Sequence, residues 1–260
     1  MADDGRRRLF VTGGASGIGR AVAHRFAAAG WRIGLADVNA EGLERVMAEL
    51  SDGRASSHVM DVRERKQWEG ALSDFAGEGG IDVMFNNAGI AVGGRFADTP
   101  PDALDRAIDI NFRGVVNGAH AAYPYLRRVP GSCLLNTASA AGIYGTAGAA
   151  IYSATKFAVR GLTEALDGEW RVEGIKVRSL MPGFIDTPLL DAGVSGSNQT
   201  VRERVRAAGL EFTAVEDVAQ AAWRAVHGDA VHVVVGPTAR RMRFAARWMP
   251  SRLRAQMARG

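Results

Sequence analysis

The sequence predicts an α/β protein: a doubly wound parallel sheet in three layers, α/β/α, folded as a single domain. Three observations lead there. Short apolar runs alternate with longer stretches of helical periodicity along almost the whole chain. That order implies parallel strands covered by helices on both faces. The 260 residues are 47% hydrophobic and 23% charged, an ordinary globular balance with ample material for one large core. No internal repeat and no linker rich in Pro, Ser or Gly divides the chain.

The elements follow in order. "RLFVTG" (8–13) reads as the first strand. "IGRAVAHRFAAAG" (18–30) reads as a helix, because Ala21, Val22, Phe26 and Ala29 fall at helical spacing and Gly30 stands at the C-cap. "WRIGLAD" (31–37) is a strand, and "EGLERVMAEL" (41–50) a helix with Leu43, Val46, Met47 and Leu50 on one face. "ASSHVMDV" (55–62) is a strand, "ERKQWEGALSDFA" (64–76) a helix and "IDVMFNNAG" (81–89) a strand. A long helical stretch, 101–128, opens with Pro-Pro-Asp, and proline is tolerated in a first helical turn. The strand "SCLLNTAS" (132–139) precedes a helix over about 149–172. After the strand "IKVRSLMP" (175–182) a loop-rich insert is expected to about 210. A helix near 215–227 and the strand "VHVVVG" (231–236) close the core.

The totals exclude several classes. A single cysteine, Cys133, rules out an internal disulfide and a cysteine cluster, and reads as an inert buried thiol. The five histidines show no metal-ligand spacing, so no metal site is expected. The N-terminus lacks the apolar core of a signal peptide. Val129 to Thr155 carries no charge, but its Pro130, Asn136 and many small polar residues fit a strand, a loop and a helix start better than a membrane span. The expectation is a cytoplasmic protein. The net charge of +4 is uneven: residues 240–260 hold seven arginines and no acid, which leaves 25 basic against 28 acidic side chains elsewhere. A mildly acidic body argues against a nucleic-acid partner.

Open parallel sheets bind ligands beyond the carboxyl ends of their strands. The first strand ends in "TGGASGIGRA" (12–21), where Gly13, Gly17 and Gly19 allow a tight turn and close approach of a pyrophosphate to a helix N-terminus. The second strand ends at Asp37, whose carboxylate can accept from a ribose and would repel a 2′-phosphate. It can also cap the next helix. Val38 follows it, and Ser16 in the loop is uncharged, which favours NAD over NADP. In "YSATK" (152–156), Tyr152 and Lys156 stand at i,i+4, on one face of a helix. An ammonium ~4 Å from a phenol could lower its pKa by at most roughly three units, making it a candidate general acid/base.

These residues recur together in one family. The chain resembles the short-chain dehydrogenases/reductases, single-domain Rossmann-type oxidoreductases. The matches are "TGGASGIG" (12–19), "DV" (61–62), "NNAG" (86–89), Asn111, Ser139, "YSATK" and "PGFIDT" (182–187), in family order. The resemblance implies Tyr152 as the acid/base and Ser139 as a hydrogen-bond partner of the substrate oxygen. It implies Lys156 as tuner of Tyr152 and ligand of the nicotinamide ribose, and Asn111 as holder of a proton-relay water. It implies a nicotinamide site built from Gly13, Ser16, Gly17, Ile18, Gly19, Asp37, Asp61, Val62, Asn87, Ala88, Gly89, Pro182, Gly183, Ile185 and Thr187. Asp61 and Val62 would meet adenine, Asn87 would form part of the floor, and Ile185 and Thr187 would adjoin the carboxamide.

The expected reaction moves a hydride between NAD and a secondary alcohol or ketone on an apolar body. The expected walls are 90–98, 140–148 and 184–212, with Phe96, Tyr144, Phe184, Leu189 and Leu190; Arg95 and Arg202 could meet an anion, although solvation at the surface is the favoured reading for both. The alternatives are an NADPH-dependent carbonyl reductase and a non-catalytic dinucleotide sensor. Residues 1–237 are read as the catalytic domain, and 238–260 as a basic accessory segment in which Pro250 breaks any continuous helix. That segment could pack on the protein or touch an anionic membrane weakly. Apolar residues on more than one face of the two long helices, and the resemblance, point to a homodimer or homotetramer.

Overall fold

The structure is a computed structural model, and it describes residues 5–50 and 53–257. The strands are β1 (Arg8–Thr12), β2 (Arg32–Asp37), β3 (Ala55–Val59), β4 (Val83–Asn86), β5 (Gly93–Gly94), β6 (Cys133–Thr137), β7 (Lys176–Pro182), β8 (Val194–Ser195) and β9 (His232–Val235). The helices are α1 (Gly17–Ala27), α2 (Ala40–Glu49), α3 (Arg65–Ala76), α4 (Pro101–Ile108), α5 (Gly114–Leu126), α6 (Ala150–Trp170), α7 (Val201–Ala207), α8 (Val215–His227), α9 (Pro237–Trp248) and α10 (Pro250–Met257).

Seven strands form one parallel sheet in the order β3-β2-β1-β4-β6-β7-β9. The chain starts in the middle, builds outward to β3, and returns to build the other half from β4. The reversal between β1 and β4 opens a crevice at the carboxyl ends of those strands. Alternation along the strands fills two cores. Leu9, Val11, Ile33, Leu35 and Phe85 face α1 and α8, where Phe26, Trp31 and Trp223 meet edge-on. Phe10, Met84, Leu134 and Val177 face the other way, onto Trp68, Leu72 and Phe75 of α3 and Ala122 and Leu126 of α5. Cys133 is fully buried, and burial pushes its thiol up to about 12, so it stays protonated.

Three features differ from the expectations. The stretch 101–128 is α4 and α5 joined by a π-helical turn, Asp109–Arg113, with Asn111 inside it. The insert after β7 is not all loop. β8 pairs in parallel with β5, and α7 is opened by a capping box in which Thr200 Oγ1 accepts from Glu203 N and the Glu203 carboxylate accepts from Thr200 N. The third concerns the C-terminal segment. It breaks at Pro250 into α9 and α10 as expected, but its first helix does not stand apart. Ala239 is fully buried, Leu253 nearly so, and Thr238 and Met242 face the main cleft. The boundary at 237 therefore separates no independent unit: small Ala239 lets α9 lie close on the end of the sheet. Among the described residues, no helix is long and apolar enough to cross a membrane.

Candidate active site

A cleft of about 1440 Å³ runs across the carboxyl end of the sheet. One end is the glycine turn between β1 and α1. Gly13 has φ +66, and a Cβ on Gly19 would lie 2.1 Å from the Gly13 carbonyl oxygen, so a side chain there would break the turn. Asn87 pins the turn to the sheet: its amide donates to the Thr12 carbonyl (3.0 Å), and its own carbonyl accepts from Thr137 (3.1 Å). The N-cap residue of α1, Ser16, makes no side-chain cap hydrogen bond, and Gly17 and Ile18 of its first turn line the cleft, with no side-chain acceptor for their N–H groups among the described residues.

Asp37 ends β2 on the same wall. One carboxylate oxygen accepts from Ala15 N in the glycine turn (3.1 Å), and the other from Asn39 N (3.0 Å). The cap of α2 is Asn39, which accepts from Gly42 N, and not Asp37. Each Asp37 oxygen keeps a lone pair for an incoming hydroxyl. The Asp61 carboxylate is instead gripped by Arg63 through contacts down to 2.6 Å, and this hydrogen bonding holds it below the usual carboxylate range.

At the other end stand Ser139, just after β6, and Tyr152 and Lys156 on α6. Ser139 Oγ accepts from Ala141 N (3.1 Å), which fixes the serine at the strand end. Burial pushes the Tyr152 phenol up, and a hydrogen bond from Ser139 opposes it. Lys156 is buried. It donates to the Thr137 carbonyl (2.8 Å), stands 5.6 Å from the Tyr152 ring centre, and is pushed down to about 8 by burial. The phenol expected to be lowered by its lysine is thus raised. Desolvation wins, with the hydrogen bond from Ser139 alone opposing it.

Asn111 lies beneath this wall, fully buried. Its side chain accepts from Ile90 N (2.7 Å) and donates to Ile90 O (2.9 Å), clasping the segment just after Gly89. It does not itself line the cleft, nor does Gly19. The remaining expected residues do: Gly13, Ser16, Gly17, Ile18, Asp37, Asp61, Val62, Asn87, Ala88, Gly89, Ser139, Tyr152, Lys156, Pro182, Gly183, Ile185 and Thr187.

Of the expected walls, Phe184, Leu189 and Leu190 line the cleft, while Tyr144 is absent from it and Phe96 points to solvent. Arg202 is held by Asp186, by Asp191 (2.6 Å) and by the Thr187 carbonyl (2.9 Å), which removes it as an anion partner. The Arg95 side chain is 84% exposed and outside the cleft, 3.9 Å from Asp98. The sequence reading missed Thr137 and Met242, and it covered Ile90 and Arg204 only as unnamed members of the expected walls 90–98 and 184–212. The Thr-x-x-Glu capping signature at Thr200 and Glu203 could have revealed α7, and with it Arg204. Nothing in the sequence pattern placed Met242 beside a cleft.

A glycine turn at a helix N-terminus, an acid at the end of β2, and a Ser/Tyr/Lys group on the same crevice define a Rossmann-type dinucleotide-dependent oxidoreductase. The comparisons name the family. Residues 7–197 match the short chain dehydrogenase family model, and the chain belongs to that family. It is 35% identical over 197 residues to meso-2,3-butanediol dehydrogenase of Serratia marcescens, covering 75% of this chain and 76% of the relative. It is also 35% identical over 182 residues to 3-alpha-(or 20-beta)-hydroxysteroid dehydrogenase of Mycobacterium tuberculosis, covering 70% of each. A crystal structure of a short chain dehydrogenase/reductase from Burkholderia phymatum in complex with NAD superposes with TM-score 0.83 at 25% identity, over 96% of this chain and 95% of that one.

Proposed function

We propose that this enzyme interconverts a secondary alcohol and a ketone on a largely apolar substrate, with NAD as hydride partner and Tyr152 as general acid/base. One observation carries the reading: the glycine turn and Asp37 lie at one end of a single cleft whose other end presents Tyr152, Ser139 and Lys156. The residues fit a nicotinamide dinucleotide. Unpaired N–H groups on α1 suit the pyrophosphate, Asp37 suits an adenosine ribose, and Asn87, Pro182, Gly183, Ile185 and Thr187 continue the wall toward Tyr152. A bound nicotinamide supplies the acceptor or donor of hydride at the substrate carbon.

The chain's own groups manage the proton. In alcohol oxidation the substrate O–H passes its proton to Tyr152 Oη as the carbon gives up hydride, and in reduction the proton returns. Ser139 hydrogen-bonds the same oxygen. Lys156, anchored on Thr137, stands close enough to favour the phenolate when it forms. Asn111 acts here as a positioning residue: by clasping Ile90 it sets the wall that carries Gly89. NAD is preferred because Asp37 would repel a 2′-phosphate and Val38 offers it no cation. The hydroxysteroid and butanediol names of the relatives agree with a secondary alcohol.

The test is an alcohol and ketone panel with NAD and NADP, followed by nicotinamide absorbance. Turnover with NAD, lost in Tyr152→Phe, is the expected result. Binding of NAD without turnover of any compound would favour the sensor reading, and faster turnover with NADPH the reductase reading. We also propose a cytoplasmic homodimer or homotetramer, on the basis of the single buried thiol and the apolar residues left on α4 and α6. Ile108 and Phe157 are 38% and 41% exposed there. A weak contact of α9 and α10 with anionic membranes is proposed on their arginines and on Phe244 and Trp248, 58% and 65% exposed.

A further inference from the structure

We infer that Arg204 binds a carboxylate on the substrate, at the end remote from the reacting carbon. The inference rests on the oxidoreductase reading and narrows its substrate to apolar alcohols or ketones that carry an acid group.

The location comes first. α7 lines the cleft through Val201, Arg204 and Val205. The Arg204 guanidinium reaches toward the opposite wall, where Nη1 lies 4.0 Å from the place a Cβ would occupy on Gly148. Gly148 precedes α6, the helix that carries Tyr152, so a group held by Arg204 and an oxygen held by Tyr152 would belong to one molecule spanning the pocket.

The pairing of charges comes second. Arg202, two residues earlier, is fully engaged with Asp186, Asp191 and the Thr187 carbonyl. Arg204 has no carboxylate partner and no side-chain hydrogen bond among the described residues, although its place on α7 is fixed by the capping box. The acids on the cleft wall, Asp37 and Asp61, lie at the adenosine end, and Asp61 already has Arg63. A cation thus faces a largely apolar compartment with no carboxylate among the described residues to neutralise it. The guanidinium fork matches a carboxylate in a two-point bond. Arg204 is exposed at the rim, so the pair would be screened, and the expected gain is about tenfold at low ionic strength, falling as salt is added.

The experiment uses the full chain with NAD and straight-chain hydroxy acids bearing the hydroxyl next to the terminal methyl, over a ladder of lengths, each beside its methyl ester. The wild type is expected to favour the acid over the ester by about tenfold in kcat/KM for at least one length, through KM, with the preference shrinking in salt. In Arg204→Met the preference collapses at that length. In Arg204→Glu it reverses, and the amine-ended congener becomes the better substrate. Esters turned over as well as acids at every length, or a preference that survives in Arg204→Met, would overturn the role of Arg204 and leave the oxidoreductase reading standing. Absence of turnover for acids, esters and the simple alcohol panel together would instead sink the reading on which it rests.

Discussion

Lys156→Met tests the electrostatics of the site through folding, without needing a substrate. Burial lowers the Lys156 pKa from 10.5 to about 8. The unfolded chain holds that proton up to about 10.4, so between the two values the unfolded state binds more protons than the folded one. Stability therefore rises with pH in that window, and below it the buried ammonium costs roughly 3 kcal/mol. Methionine removes this cost but strands the Thr137 carbonyl that Lys156 now satisfies, a loss of ~1–3 kcal/mol that does not vary with pH. The two effects oppose each other at neutral pH, so the absolute difference decides nothing. The slope decides. The assay is urea unfolding of both proteins without cofactor, at one protomer concentration, from pH ~6 to ~10. The wild type should gain on Lys156→Met by about 1.4 kcal/mol per pH unit above pH ~8, and by almost nothing below ~7. The raised Tyr152 phenol acts mainly above its ordinary value of 10.0, and it is present in both proteins. A flat difference across the range, or one that narrows with rising pH, would refute the claim that Lys156 is held against its preferred charge.

The other expectations are shorter. Tyr152→Phe should lose more than nine-tenths of turnover, while NAD titration changes little. Because burial raises the Tyr152 phenol, alcohol oxidation, which needs it deprotonated, should quicken steadily as pH rises above neutrality, and ketone reduction should not. Asp37→Ala combined with Val38→Arg should shift kcat/KM toward NADP by about tenfold or more, since a repulsive carboxylate is removed and a phosphate partner added. A wild type already faster with NADP would refute the role of Asp37. Vesicle co-sedimentation should show weak, salt-sensitive binding to anionic lipid, reduced in Phe244→Ser with Trp248→Ser. Equal pelleting of both proteins would remove the membrane reading. Truncation at 237 is the poorer control, because it would strip buried Ala239 and Leu253 from the core and Met242 from the cleft.

Most of the sheet was legible because most strands, β3 excepted, are apolar on both faces and the helices on one, so period and length agree. The cofactor end was legible for a related reason. Gly13, Gly17 and Gly19 sit together in one short turn, and Asp37 closes the next strand, so local order specifies the site. What escaped depends on contacts remote in sequence. The two-residue strands β5 and β8 carry no period to read, and they exist only because each finds the other. The seven-residue α7 has too short an apolar face to register. Asn111 read as one residue of a continuous helix, whereas its clasp on Ile90 sits within a π turn. The direction of the Tyr152 shift failed for a plainer reason. Spacing at i,i+4 says that two side chains are neighbours, but it does not say how deeply they are buried or that Thr137 takes the ammonium.

That misjudged shift has a consequence for how the site works. Burial penalises both charged forms, the phenolate and the ammonium alike. A neutral phenol beside a lysine held near 8 is a poor proton acceptor at neutral pH. If the proposed function holds, a cofactor hydroxyl meeting Lys156 and a substrate hydroxyl shared with Ser139 would supply stabilisation that burial removes. On that proposal, proton transfer would be favoured by each partner that surrounds the phenolate and offsets its desolvation. The same logic explains why the lysine is tied to Thr137 O and not to a carboxylate. A fixed carboxylate would hold the ammonium permanently and cancel its field, whereas a carbonyl satisfies one N–H and leaves the charge free to act on Tyr152.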